Sequence, residues 1–523
     1  MPNRRQPDLG VHLLETITRG MYSQPFHCIR EYIQNSYDSI REARRNGSVS
    51  RSNGEIRVLI DEDARSVAVH DNGTGLSPEA AAVHLLDIGK SSKAQSHLGS
   101  DQNAGFRGIG RLAGVSYCKK LRFETSIGDG NCCVVEFNAD GINRLTARGQ
   151  EPAGLVDAVT DNAQIWEEPA EDDEAFLKVT LEGLAPDSPF LKEKQLQSYL
   201  SQVAPVPFDP LAWSFREKLG GFAEDVGAGS SLEEVKLLIC DAEGHTRVDV
   251  RRPFRDAFRT KDGTKRNRRT VNVTDVERLP SRPTEDGGWW GWLAVHDRRG
   301  ALADVPFAGL RIRMHNIAVG DDTIVGQLFP TRFLARWCFG EIHITNLKLV
   351  PNSQRDNFEP SPEWNRLRER LREAARRLER DIRRESTARS RSVATIAKKA
   401  EKEVAAAKRA VDVGFLSQEE KQNTVQKLER ASKKLQTEQN RRSRDEGEKA
   451  VLRRQRQAVE DTLNDVRAVK KTGTEQALAH LNKQARRALR VAFRVLGSEL
   501  PEKKFKELQQ KIYRELRPGA RTR

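Results

Sequence analysis

The chain has 523 residues, more than one compact core of ordinary size holds, so several domains are expected. Its 89 lysines and arginines outnumber 75 aspartates and glutamates, a net charge of +14, which suits either an acidic partner or a solvated, charge-rich surface. Cys28, Cys118, Cys132, Cys133, Cys240 and Cys338 form no CxxC pair and no zinc-finger spacing, MPNRRQPDLG lacks a signal-peptide core, and no apolar run is long enough for a membrane span. A cytoplasmic protein of a reducing compartment, with no membrane partner, is therefore expected.

The first periodic segment is CIREYIQNSYDSI, which predicts a helix. Glu31, Asn35 and Asp38 are spaced four and three apart and share one face, while Ile29, Ile33, Tyr37 and Ile40 share the opposite one. Such a helix buries its apolar side on a sheet and presents two acids and an amide to a pocket, which suits water activation and Mg²⁺ binding; an ordinary surface helix carries the same spacing. Strand-like runs follow at EIRVLI, SVAVHD, CCVVEF and FLKVTL, giving an α+β or α/β pattern through about residue 190. SVAVHD ends at Asp71, and Gly73 and Gly75 come after it. An acid at a strand end can accept a hydrogen bond from an exocyclic amine while glycines let backbone approach a planar base; a simple Asp-Asn-Gly turn reads the same way. Further on, NAGFRGIGRLAG sets Gly105, Gly108 and Gly110 ahead of a helix-compatible run, so that backbone amides can cradle phosphates under a flexible lid. The GxxGxG spacing is neither a Walker A loop nor a dinucleotide fingerprint.

From 191 to about 362 a second mixed segment contains EVKLLIC, GWLAVHD, GLRIRMHN and EIHITN, with RTKDGTKRNRRT reading as an exposed basic loop. After Pro362 the composition turns to Arg, Lys, Glu, Ala and Gln, and long helices are predicted. Val393, Ile396, Ala400 and Val404 form a narrow apolar seam of coiled-coil type. Gly414 ends one helix and Ser417 with Glu420 makes a capping box for the next, so an antiparallel helical hairpin is expected over 363–472. Residues 473–523 form a basic helical segment with a frayed tail.

In order and separation, the segments around Glu31, Asp71 and Gly105–Gly110 resemble the nucleotide-binding boxes of the GHKL ATPases, the group of the heat-shock-90 chaperones, MutL, gyrase B and histidine kinases. Residues 30–40 look most like the heat-shock-90 pattern, while GFRG and DNGTG also look like MutL. The resemblance implies a Bergerat-type two-layer α/β sandwich over 1–190 that binds ATP and Mg²⁺, followed by an α+β transducer, or middle, domain over 191–362. Glu31 would be the general base and Asn35 the metal ligand, with Asn35 and Asp38 both in the nucleotide-binding set. Asp71 would read the adenine amine, Gly73 and Gly75 would shape the base pocket, and the loop from Gly105 to Gly110 would close over the triphosphate. Lys90, in DIGKSSK, matches a family position near the terminal phosphate. Where the family often has Gly-Thr at the start of a late strand, this chain has Ala175 and Phe176.

ITNLKLVPNSQRDNFEP is similar to a middle-domain loop of heat-shock-90 chaperones and places Asn352 and Arg355 three apart. By that resemblance Arg355 would carry a cation to the phosphate and Asn352 would belong to the nucleotide-binding set; a surface arginine paired with Asp356 or Glu359 fits the same residues. The family resemblance leaves two functions: an ATP-hydrolysing, chaperone-like clamp that remodels a protein client, or a MORC- or MutL-like clamp on nucleic acid, DNA in particular, for genome defence or repair. The middle-domain loop favours the first and the basic coiled coil the second. In either case a homodimer is expected, at least with ATP bound.

Overall fold

The computed structural model describes residues 24–50, 52–86, 110–145, 155–170, 174–261, 268–280, 288–297, 301–302, 304–390, 392–413, 415, 418–440, 446–469 and 481–516. It divides into two compact units, 1–382 and 383–523.

Helix α1, Phe26–Asn46, forms where apolar residues recur at helical spacing, and Ile29, Tyr32, Ile33, Tyr37 and Ile40 are all buried. Gly47 stops it in the left-handed region at φ +78°, while Ser48 N donates to Ala43 O at 3.0 Å and closes the last turn. The helix packs on a sheet built from β1 (Glu55–Asp61), β2 (Ser66–Asp71), β3 (Lys120–Ile127), β4 (Asn131–Asn138), β5 (Ala163–Pro169) and β6 (Ala175–Glu182). Along β2, Val67, Val69 and Asp71 are buried, so the period of two that sends two valines into the core sends Asp71 after them.

This sheet does not stop at residue 190. β7 (Lys236–Cys240) pairs parallel with β1, from Glu55 opposite Lys236 to Leu59 opposite Cys240, and β8 (Thr246–Asp249) extends the edge. Among the described residues it has eight strands in the order β5-β4-β3-β6-β2-β1-β7-β8. Helix α2, Glu193–Val203, adds Leu196 and Leu200 to the same core.

A second sheet of six strands has the order β13-β12-β14-β11-β10-β9, with β9 at Ala257–Lys261, β10 at Arg268–Leu279, β11 at Trp289–His296, β12 at Gly309–Met314, β13 at Ile317–Val319 and β14 at Phe339–Ile344. The stretch expected as one exposed loop over 259–270 is in part strand: β9 and β10 pair, Lys261 opposite Arg268. The sheet separates two cores, one with Phe254, Trp292 and Phe339, the other with Ile312, Ile342 and Leu349. Helix α3, Pro362–Ser390, contributes Trp364, Leu367, Leu371 and Ala375 to the second of these, so the helical composition after Pro362 begins inside the first compact unit.

In the second unit, part of the stretch expected as a helical hairpin over 363–472 forms three helices around one core: α4 (Val393–Val413), α5 (Gln418–Gln439) and α6 (Glu446–Ala468). Ile396, Ala400 and Ala407 of α4, Leu428 and Leu435 of α5, and Leu452, Val459, Leu463 and Val466 of α6 are buried together, and Phe415 fills the end. The stripe on α6 widens a two-helix seam into a bundle core. Helices α7 (Lys483–Glu499) and α8 (Glu502–Glu515) pair through Phe493, Phe505 and Tyr513. No helix among the described residues is long and apolar enough to cross a membrane. All six cysteines are buried free thiols, and burial pushes Cys118 and Cys338 up to about 12.

Candidate active site

Glu31 lies on α1 where its side chain is 13% exposed, and Asn35, half-buried, follows one turn later. Asp38 is fully enclosed at 1% exposure. The far side of α1 is fixed by one residue from the approach to β7: Glu233 pairs with Arg41 at 3.0 Å and with Arg44 at 3.2 Å, and its carbonyl accepts from the Tyr37 hydroxyl at 2.9 Å. A helix gripped on one side by a bidentate ion pair holds the Glu31 side in one orientation.

Of the glycine-rich segment, Gly110 is described, and Lys90, Gly105 and Gly108 lie outside the described residues. Gly110 abuts the proposed base so closely that a Cβ there would sit 2.7 Å from Glu31 Oε2. Tyr32, the neighbour of Glu31, ties this segment down: its hydroxyl donates to Arg111 O at 3.1 Å and accepts from Gly114 N at 2.9 Å. Nothing in residue spacing marks Tyr32 for this role.

Asp71 Oδ1 accepts from Gly73 N at 3.0 Å, which turns the chain back at the strand end. Gly73 has no room for a side chain, because a Cβ would run into Ser39 Oγ. Gly75 is held at φ +60°, and a Cβ would overlap the Ser126 carbonyl oxygen. Two residues without a signal in the sequence brace this turn. Ser39 Oγ accepts from Thr74 N at 2.9 Å, while Thr125 Oγ1 accepts from Leu76 N at 2.8 Å and donates to Phe176 O at 2.8 Å. At Phe176, therefore, where the family often supplies a threonine, a threonine hydroxyl arrives from β3.

The loop after β14 reaches the same helix. Pro351 and Phe358 form an isolated bridge that closes it, Arg355 N donates to Asn352 O at 3.0 Å, and Arg30 Nη2 donates to Gln354 O at 2.7 Å. Arg355 takes a left-handed φ of +51°, is 8% exposed, and brings its Nε to 3.4 Å from Glu31 Oε1. Asn352 serves the loop itself: its Nδ2 donates to Asp356 Oδ1 at 2.7 Å and its main-chain N to Asn357 O at 2.9 Å. The structure thus brings Glu31, Gly110 and Arg355 together, sets Asn35 and Asp38 along the same helix, and places Asp71, Gly73 and Gly75 at the end of the strand beneath it.

Residues 22–159 match the family model of histidine kinase-, DNA gyrase B-, and HSP90-like ATPases. The chain carries a GHKL ATPase domain of the Hsp90-like kind. The chaperone protein HtpG of Psychrobacter arcticus is 28% identical to it over 164 residues, which covers 27% of this chain and 25% of that protein. HtpG of Psychrobacter cryohalolentis is 27% identical over 197 residues, covering 34% and 29%. HtpG of Acinetobacter baylyi is 30% identical over 128 residues, covering 22% and 20%. The chain thus spans between a fifth and three tenths of the length of these relatives, and the GHKL domain is the part that the family match describes.

Proposed function

We propose that this protein is an ATP-hydrolysing conformational clamp in which the GHKL domain binds ATP and the segment carrying the second sheet controls turnover. The observation that carries the reading is the approach of Arg355 to Glu31 at 3.4 Å. A carboxylate paired with a guanidinium is held in a fixed direction. In the hydrolytic state Glu31 would take a proton from the attacking water, and Arg355, released toward the transferring phosphoryl group, would stabilise charge that grows in the transition state.

The residues present fit an adenine nucleotide. The buried Asp71 carboxylate can accept an amine hydrogen bond, and Gly73 and Gly75 form a turn that excludes any Cβ. Asn35 offers a neutral oxygen one turn from Glu31, which suits a magnesium ion that keeps most of its waters. When bound, that ion neutralises phosphate charge. Asp38 is assigned to support Asn35 from within the core, Lys90 and the Gly105 to Gly110 loop to the phosphates, and Asn352 to fixing the loop that holds Arg355.

Arg355→Ala should lower the turnover number by about a thousandfold with ATP affinity little changed, since the interaction is strongest in the transition state. Steady-state hydrolysis and calorimetry on the same preparation measure the two. Wild-type turnover would reduce Arg355 to a structural ion pair.

Similarity to HtpG favours a protein client, gripped by a clamp that is a homodimer when ATP is bound and works in the cytoplasm. The basic helical segment after Pro362 favours a nucleic-acid clamp as a second reading. A DNA-binding titration over a range of salt decides between them: a steep salt slope supports nucleic acid, and its absence supports the protein client.

A further inference from the structure

A cleft of about 760 Å³ lies between the start of α1, the end of α2 and the second sheet with α3, and neither Glu31, Asn35, Asp71 nor Gly110 lines it. Five arginines face it, Arg30, Arg311, Arg332, Arg368 and Arg372, against two acids, Asp321 and Asp356. We propose that this cleft is a second anion site, separate from the nucleotide pocket, that binds a small ligand bearing linked phosphates.

Two of the arginines are built in rather than displayed. Arg30 is 3% exposed and Arg311 is 6% exposed. Each is anchored through one nitrogen, Arg30 Nη2 to the Gln354 carbonyl at 2.7 Å and Arg311 Nη2 to Gln202 Oε1 at 3.0 Å. Each keeps another buried nitrogen without a hydrogen-bond acceptor, Nε in Arg30 and Nη1 in Arg311. Two more lining residues have the same shortage: His27 Nδ1 and the Tyr199 hydroxyl are buried without partners. Buried polar atoms left idle cost about 1 to 3 kcal/mol each, and with the donors of Arg30, Arg311 and Tyr199 among them the residues around this cavity describe a place that an acceptor-rich ligand completes. His27 is pushed down to about 4 by burial and by the Arg30 charge, and at pH 7 the positive charge of the cleft belongs to its arginines.

The charge and the size select the ligand class. Even with Asp321 and Asp356 lining the cleft and Asp322 at 3.9 Å from Arg311 Nη2, the arginines are in excess by more than one carboxylate supplies, whereas linked phosphates present several charges and many acceptor oxygens in the geometry that guanidinium forks match. The volume lies within the range of about 300 to 1,000 Å³ usual for small-molecule sites, too confined for a nucleic-acid duplex.

The test is calorimetric titration of inorganic pyrophosphate into the full chain without added magnesium, with and without saturating ADP. Wild-type protein should bind one equivalent in both conditions. Arg311→Gln should weaken pyrophosphate by about tenfold or more, as loss of a charged hydrogen bond predicts, with ADP affinity unchanged. Arg368→Gln, on the exposed face of α3, should weaken it in the same direction and carries little risk to folding. Absence of pyrophosphate binding, its displacement by ADP, or wild-type affinity in the Arg368→Gln protein would overturn the proposal.

Discussion

Glu31 and Asp71 are both enclosed carboxylates at the same site, yet their positions assign them different work. Glu31 meets Gly110 and Arg355, where phosphate chemistry is proposed, while Asp71 is fixed in the turn with Gly73 at the strand end. Glu31→Ala should therefore leave ATP binding nearly intact and abolish turnover, because a base acts on the water and adds little to the ground state. Asp71→Asn should abolish binding, since an amide can present a donor where an acceptor is needed. Calorimetry and a turnover assay on both variants check the contrast, and equal losses of binding in the two would sink it. A second expectation concerns pH. His27 and His70 are both pushed from 6.5 down to about 4, by burial first, with Arg30 acting on His27 and Lys178 on His70. The native state keeps both neutral, whereas the unfolded chain takes up protons as pH falls below 6.5, so stability falls from 6.5 to about 4 and this contribution levels off below that. The melting temperature should drop through this window, and drop less in a His27→Gln, His70→Gln double variant; identical profiles would remove the histidines from the account.

At the scale of elements, each piece of the site is held by a neighbour and not by its own propensity. Helix α1 is clamped by Glu233, the segment after Gly110 by Tyr32, and the turn at Gly75 by Ser39 and Thr125. The bundle of α4, α5 and α6 works differently, through a shared apolar core, with polar links such as Arg467 to Glu429 at 2.6 Å between the helices outside it. Leu428 on α5 is wholly buried there. Leu428→Ala should destabilise the bundle by about 2 to 5 kcal/mol through lost contacts and the cavity left behind. Chemical denaturation followed by helix content measures this; a change near zero would mean that α5 does not share a packed core with α4 and α6.

In the whole of the first unit, the two sheets are joined through buried charge. Glu341 on β14 receives both Arg252 and Arg313, and the side chains of all three are at most 1% exposed. Arg313 also donates to the carbonyls of Gln202 at 2.7 Å and Ala204 at 3.2 Å, at the end of α2, while Arg252 donates to Val206 O at 2.9 Å and lies 4.7 Å from the Phe208 ring. The two guanidinium charges hold the Glu341 carboxyl far below the usual carboxylate range despite its burial. Glu341→Gln would leave two buried cations facing a neutral amide and should cost about 3 to 5 kcal/mol. Urea unfolding of the full chain gives the figure. A loss under 1 kcal/mol would place the join in the apolar contacts instead.

The features legible in the residues alone are local. The shared face of Glu31, Asn35 and Asp38, the burial of Asp71 at the end of a strand, and the glycines at 73, 75 and 110 follow from side-chain periods of 3.6 and 2 and from positions where a Cβ has no room. Features that depend on distant partners emerge only in the folded chain. β7 joins β1 by parallel pairing, which needs a long crossover and leaves no mark in spacing. The third helix of the bundle shares a core through a stripe that, read alone, fits a two-helix seam equally well. Arg30 and Gln354, 324 positions apart, meet because two sheets fix where α1 and the loop after β14 end up. That is also why the pairing of Arg355 with Glu31 and the arginine-lined cleft are properties of the fold: each is assembled from elements whose hydrophobic patterns fix their own faces, and not which other element will lie opposite.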